Sequence, residues 1–106
     1  MTVTLGTIIV RQDGFLHRSF VQTVIGADTL VADPVDGRVT VKDLVFTVAA
    51  AGTVALGVGI SPAMNATVGT VYRFEDLELA ESEALTATTV GAGAFIQGYV
   101  VYKVLT

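Results

Sequence analysis

From Thr53 to Ile60 the chain alternates strictly. Val54, Leu56, Val58 and Ile60 fall on one side, and Thr53, Ala55, Gly57 and Gly59 on the other. A period of two is that of a β-strand with one face on a core. The opposite face is nearly bare of side chains, which leaves it open to another backbone. Gly37 to Val48 has the same rhythm with one slip: Val39 and Val41 share a parity, while Leu44, Phe46 and Val48 share the other. Because a shift of one residue reverses every side chain, the slip predicts a β-bulge near Lys42 and Asp43.

Further strands are expected over Val3 to Val10, Phe20 to Ile25, Thr29 to Ala32, Val71 to Leu79, Leu85 to Val90 and Phe95 to Leu105, about eight in all. Between them, Asp33-Pro-Val-Asp-Gly37 and Ala49 to Gly52 read as turns, Gly14 to Ser19 as a polar turn, and Gly91-Ala-Gly-Ala94 as a tight hairpin turn. Ala63 to Gly69 shows no period and follows Pro62, so it reads as a connecting loop. Glu75 to Leu85 has helical propensity, but the pairs Tyr72 with Phe74 and Leu77 with Leu79 favour a strand ending in an acidic turn at Ala80 to Glu83. Valine occurs 18 times and threonine 14, and β-branched residues fit a pleated surface. The fold expected over 1–106 is one all-β domain, an antiparallel β-sandwich or jelly roll.

Composition sharpens this picture. The 106 residues are 52% hydrophobic and only 15% charged, against roughly 25% charged in an ordinary soluble domain. A domain this small has too much surface to hide so many apolar residues within itself. Leu44 to Ile60 is a marginal membrane window of about 17 residues, short of the roughly 20 that a span needs and broken by glycines. Burial against other subunits, with no membrane partner, is the better reading. Met1 to Gly6 lacks the basic and apolar regions of a secretory signal, so the chain is expected to stay where it is made. A net charge of −4 is the wrong sign for a phosphate backbone, which argues against nucleic acid.

Candidate chemistry is sparse. With no cysteine and one histidine, His17, neither a thiolate nor a multi-histidine metal site is available. Ser19, Ser61 and Ser82 lie in no nucleophile motif. The acidic run Glu75, Asp76, Glu78, Glu81, Glu83 lacks the spacing of a calcium loop and reads as a solvated rim. Gly91 to Ala94 lacks the lysine of a phosphate loop. No enzyme activity, cofactor or small-molecule substrate is expected. Two long uncharged stretches, Leu44 to Tyr72 and Ala84 to Tyr102, hold the apolar surplus. Interfaces run apolar and tyrosine-rich, which makes Tyr99, Val101 and Tyr102 candidates for a contact between subunits.

The runs Gly37 to Val48, Gly52-Thr-Val-Ala-Leu-Gly-Val-Gly59, Leu77 to Leu85 and Gly98-Tyr-Val-Val-Tyr-Lys-Val104 resemble, as a strand rhythm over 37–104, small jelly-roll capsid decoration (cement) proteins of tailed bacteriophages. They also resemble trimeric tail or head fibre domains of those phages. The resemblance implies a homotrimer on the outer surface of the virion, made in the host cytoplasm, with itself and the major capsid protein as partners. It further implies that the N-terminal segment grips the shell, which nominates Thr2, Val3, Thr4 and Leu5. The same segment reads equally well as the first strand of the sandwich. The alternative is a tail or head fibre domain that binds a host surface glycan, with Tyr72, Tyr99 and Tyr102 as its stacking patch.

Overall fold

In a computed structural model, residues 3–57 and 61–106 are described. Ten strands follow in chain order: β1 (Val3–Leu5), β2 (Ile9–Val10), β3 (Leu16–Gln22), β4 (Ala27–Val31), β5 (Arg38–Val48), β6 (Gly52–Leu56), β7 (Ser61–Ala66), β8 (Tyr72–Glu78), β9 (Leu85–Val90) and β10 (Ile96–Leu105). One sheet runs β1-β3-β10-β5-β8 with β2 also on β3, the other β4-β9-β6-β7. Every pairing is antiparallel. From β3 to β10 the chain changes sheet at each step except between β6 and β7. That connectivity is a jelly roll, and the expected all-β sandwich is what forms.

The slip in β5 is a bulge at Lys42. Val101 of β10 faces Asp43 while Tyr102 faces Val41, so Lys42 is the extra residue. Val39, Val41, Leu44, Phe46 and Val48 are all buried as a result. The neighbouring strand slips in step. Asp76 of β8 lies opposite Lys42 with φ at 54°, and the inward positions change from Phe74 to Leu77 across it.

Several boundaries differ from the sequence reading: the strand expected from Thr53 ends at Leu56, the one expected from Thr29 begins at Ala27, and the one expected to reach Ile25 ends at Gln22. Ser61–Ala66 is the edge strand β7, bonded to β6, where a loop was expected over Ala63 to Gly69. An edge tolerates the missing N–H of proline, and backbone pairing does not require a hydrophobic period. The strand expected from Phe20 begins at Leu16, because Arg18 finds the Gly6 carbonyl at 2.8 Å and is stable within the sheet. That shortens the turn expected over Gly14 to Ser19. The single strand expected from Val3 to Val10 divides at Gly6 into β1 and β2, both along β3. Gly91 to Ala94 joins β9 to β10 in different sheets, so it is a crossover and not a hairpin. Val58, Gly59 and Ile60 lie outside the described residues.

Between the sheets, Phe20, Leu30, Leu44, Phe46, Leu56, Leu85 and Ile96 form the buried core. One polar cluster joins the layers. Thr89 Oγ1 donates to Gln22 Oε1 at 2.9 Å and accepts from Gly26 N at 3.1 Å. Gln22 Nε2 in turn donates to the buried Asp28 carboxylate at 2.9 Å. The accessible surface is 5630 Å², close to the roughly 5,600 Å² expected of a compact monomer of this mass. The apolar surplus is therefore a property of what the surface is made of, not of an extended shape.

Candidate functional site

The outer face of the larger sheet carries two adjoining open hollows. Along β10, Gln97, Tyr99 and Val101 point outward in register with their neighbours. Gln97 lies between Val21 and Thr47, Tyr99 between Ser19 and Val45, and Val101 between His17 and Asp43. The His17 and Tyr99 rings stack at 4.9 Å between centroids, 26° apart. On one side of the pair is a trough of about 480 Å³ walled by Val21, Val45 and Val71. On the other is a hollow of about 370 Å³ bounded by Ile9, Arg11, Asp43 and Val101.

Gly98 sets the shape of this face. A side chain there would run into the Val45 carbonyl and come within 2.7 Å of Phe46 Cα. β10 and β5 approach so closely that only glycine fits. Phe20 and Phe46 flank Gly98 in register and fill the inner face below it.

The far end of the face is closed by the connection between β2 and β3. Asp13 takes Arg11 at 3.1 Å and Lys42 at 3.2 Å, and its other oxygen accepts from Phe15 N at 3.1 Å. The Phe15 N–H above all, joined by Lys42 and Arg11, holds the Asp13 carboxyl below its ordinary value against the opposing cost of desolvation. The bulge is what aims Lys42 here; its ammonium also lies 5.2 Å from the Phe15 ring centroid. Tyr72 is committed elsewhere. Its phenol is held below its usual range by the Thr67 hydroxyl and by the Thr67 N–H at 2.8 Å.

The residues nominated from sequence separate. Val3 is buried in the core, Thr4 is exposed and Leu5 half-buried, all within β1, which pairs with Phe20 to Gln22. Thr2 lies outside the described residues. Tyr99 is half-buried on the outer face, Val101 is buried on that face, and Tyr102 packs into the core at 6% exposure. Tyr102 is thus a core residue, because β10 alternates without a slip past the bulge in β5. Tyr72 stacks on Phe46 toward the interior at 5.5 Å, so Tyr72, Tyr99 and Tyr102 do not form one patch.

The acidic residues Glu75, Asp76, Glu78 and Glu81 are exposed. Among the described residues no group of three or more histidine or acidic side chains is placed to hold a metal. Ser82 Oγ donates to the Val35 carbonyl and ties two turns together. No protein-family model, curated protein or solved structure matches the chain. Val21, Val45, Thr47 and Gln97, which build the trough, went unnoticed in the sequence. The signal was there: each is an outward position next to a core position in β3, β5 or β10.

Proposed function

We propose that the protein is a non-enzymatic structural component of a tailed-phage virion, a homotrimeric decoration (cement) protein that binds the outer capsid surface and stabilises it. The observation that carries this is an ordinary compact jelly roll with large aliphatic side chains left in water. Val21, Ile9 and Val71 are 45%, 58% and 63% exposed, and all three border the hollows around Tyr99. An apolar face centred on a partly buried tyrosine has the make-up of a subunit contact.

Tyr99 is the surviving candidate for the threefold contact, since Val101 and Tyr102 are already covered within the chain. Association removes apolar surface from water at about 25 cal/mol per Å². A protein that binds only the assembled shell adds its binding free energy to that state alone and raises shell stability by linkage.

Sedimentation equilibrium tests the first step. The expected species is a trimer of about 33 kDa from an 11.0 kDa chain, with Tyr99→Glu shifting it to monomer. A wild-type monomer throughout the micromolar range overturns the trimer.

A further inference from the structure

Charge is sorted across the larger sheet. Three of the six basic side chains, Arg11, Lys42 and Lys103, gather around Asp13 and Phe15 on the side of β3 and β10. Arg11 and Lys42 both reach the Asp13 carboxylate, and the Lys42 and Lys103 ammoniums lie 5.2 and 5.8 Å from the centroid of the same Phe15 ring. On the rest of the chain acids outnumber bases nine to three. Five of those acids, Glu75, Asp76, Glu78, Glu81 and Glu83, fall on β8 and the turn after it. β8 is an edge of the sheet, bonded on one side only, to β5. Among the described residues, Lys103, Asp76 and Glu78 are exposed and make no ion pair.

The registers set the two groups at one height along the strands. Lys103 pairs with Thr40 and Thr40 with Glu78, so a single row across the sheet joins the cationic cluster to the acidic edge. Six residues back along β10, about 20 Å at about 3.3 Å each, Gln97 lies between Val21 and Thr47, and Val71 borders the same trough. The face around Tyr99 and the β8 side are therefore both apolar at one end and charged at the other, with opposite signs at the charged end. Rotation about an axis parallel to the strands carries each feature around a ring without changing its height. It brings apolar surface to apolar surface, and Glu78 of one copy to Lys103 of the next.

We infer that the subunits associate head to tail, the acidic β8 edge of one copy docking on the Arg11, Lys42 and Lys103 cluster of the next. The inference rests on the trimer reading and names the surface that the Tyr99 face receives. The chain itself supplies the occupant, an exposed acidic strip of the sign and at the height that fit the cluster. Two different patches, one toward each neighbour, let three copies close a ring, and complementary charge fixes their orientation and register.

Sedimentation equilibrium compares wild type, Lys103→Glu, Glu78→Lys, a chain carrying both exchanges, and Thr88→Glu, an exposed position on the smaller sheet. Thermal melts of each accompany it. Each single reversal sets like charges opposite one another in every contact of the ring and is expected to raise trimer dissociation at least about tenfold. The chain with both exchanges is expected to associate within about threefold of wild type, because the pair is restored with its signs swapped. Thr88→Glu associates as wild type does. Raising sodium chloride from about 0.1 M to about 1 M is expected to weaken the wild-type trimer by screening the exposed pairs, and this titration decides the matter where a reversal fails to fold. A wild-type trimer that either reversal leaves intact assigns the cluster to a different acidic partner and overturns the docking. A trimer that salt does not weaken, or that the double exchange fails to restore, overturns it as well; in all three cases the trimer reading stands. A wild-type monomer overturns both.

Discussion

Deleting Lys42 isolates the role of the bulge. Lys42 is the extra residue opposite β10, so its removal sets Val41 and Asp43 side by side against Tyr102 and Val101 and leaves Val39, Val41, Leu44, Phe46 and Val48 on one parity, all still facing the core. What is lost is the exposed ion pair to Asp13, worth up to about 1 kcal/mol, and Asp76 is left as the unmatched residue of β8. A loss of register would instead turn out Val39 and Val41, both 0% exposed, at about 3–6 kcal/mol for the pair. That is much of the roughly 5–15 kcal/mol that holds a domain of this size folded. Lys42→Ala is the control, because it keeps the bulge and loses only the ion pair. Urea unfolding followed by circular dichroism reads both. With a slope of about 1–3 kcal/mol per molar, the deletion is expected to stay folded, with its midpoint within about 1 M of that of Lys42→Ala. A further loss of about 3 kcal/mol or more in the deletion variant would refute the reasoning.

Gly98→Ala must displace the β5 backbone at Val45, so a loss of about 2–3 kcal/mol is expected. That is a fall in melting temperature of about 10 °C or more, and an unchanged melt contradicts the close approach. Thr89→Val leaves Gln22 Oε1 and Gly26 N short of a partner and is expected to cost about 1–3 kcal/mol in chemical denaturation; a neutral result means the cluster is rebuilt by water. Asp13 is held below its ordinary value in the fold. The stability it lends its connection is therefore present above the unfolded carboxylate value and is lost as pH falls through the lower, folded one. Carboxyl carbon chemical shifts are expected to place its midpoint below the ordinary value and to show it rising in Lys42→Ala; a midpoint at or above that value contradicts the assignment.

What was legible in the sequence was what side-chain parity controls. The slip between Val41 and Leu44 located the bulge within a residue, and Leu85–Val90 was found with its observed boundaries. What was not legible depends on backbone partners. β7 is held at a sheet edge by bonds to β6, and Pro62 there reads equally well as a loop. Arg18 looked like a turn residue because its acceptor, the Gly6 carbonyl, has no signature in sequence. Gly91 to Ala94 permits either a hairpin or a crossover, and only the pairing of β9 with β4 and β6 decides between them. The face around Tyr99 is assembled from strands distant in the chain.

The central claim is that the protein stabilises an assembled shell. Its most direct test is to add purified protein to mature capsids lacking it and measure bound copies and capsid melting by calorimetry. The account predicts saturable binding in multiples of three copies, with a rise in the temperature at which the shell melts. Capsids that bind nothing and melt unchanged would contradict it.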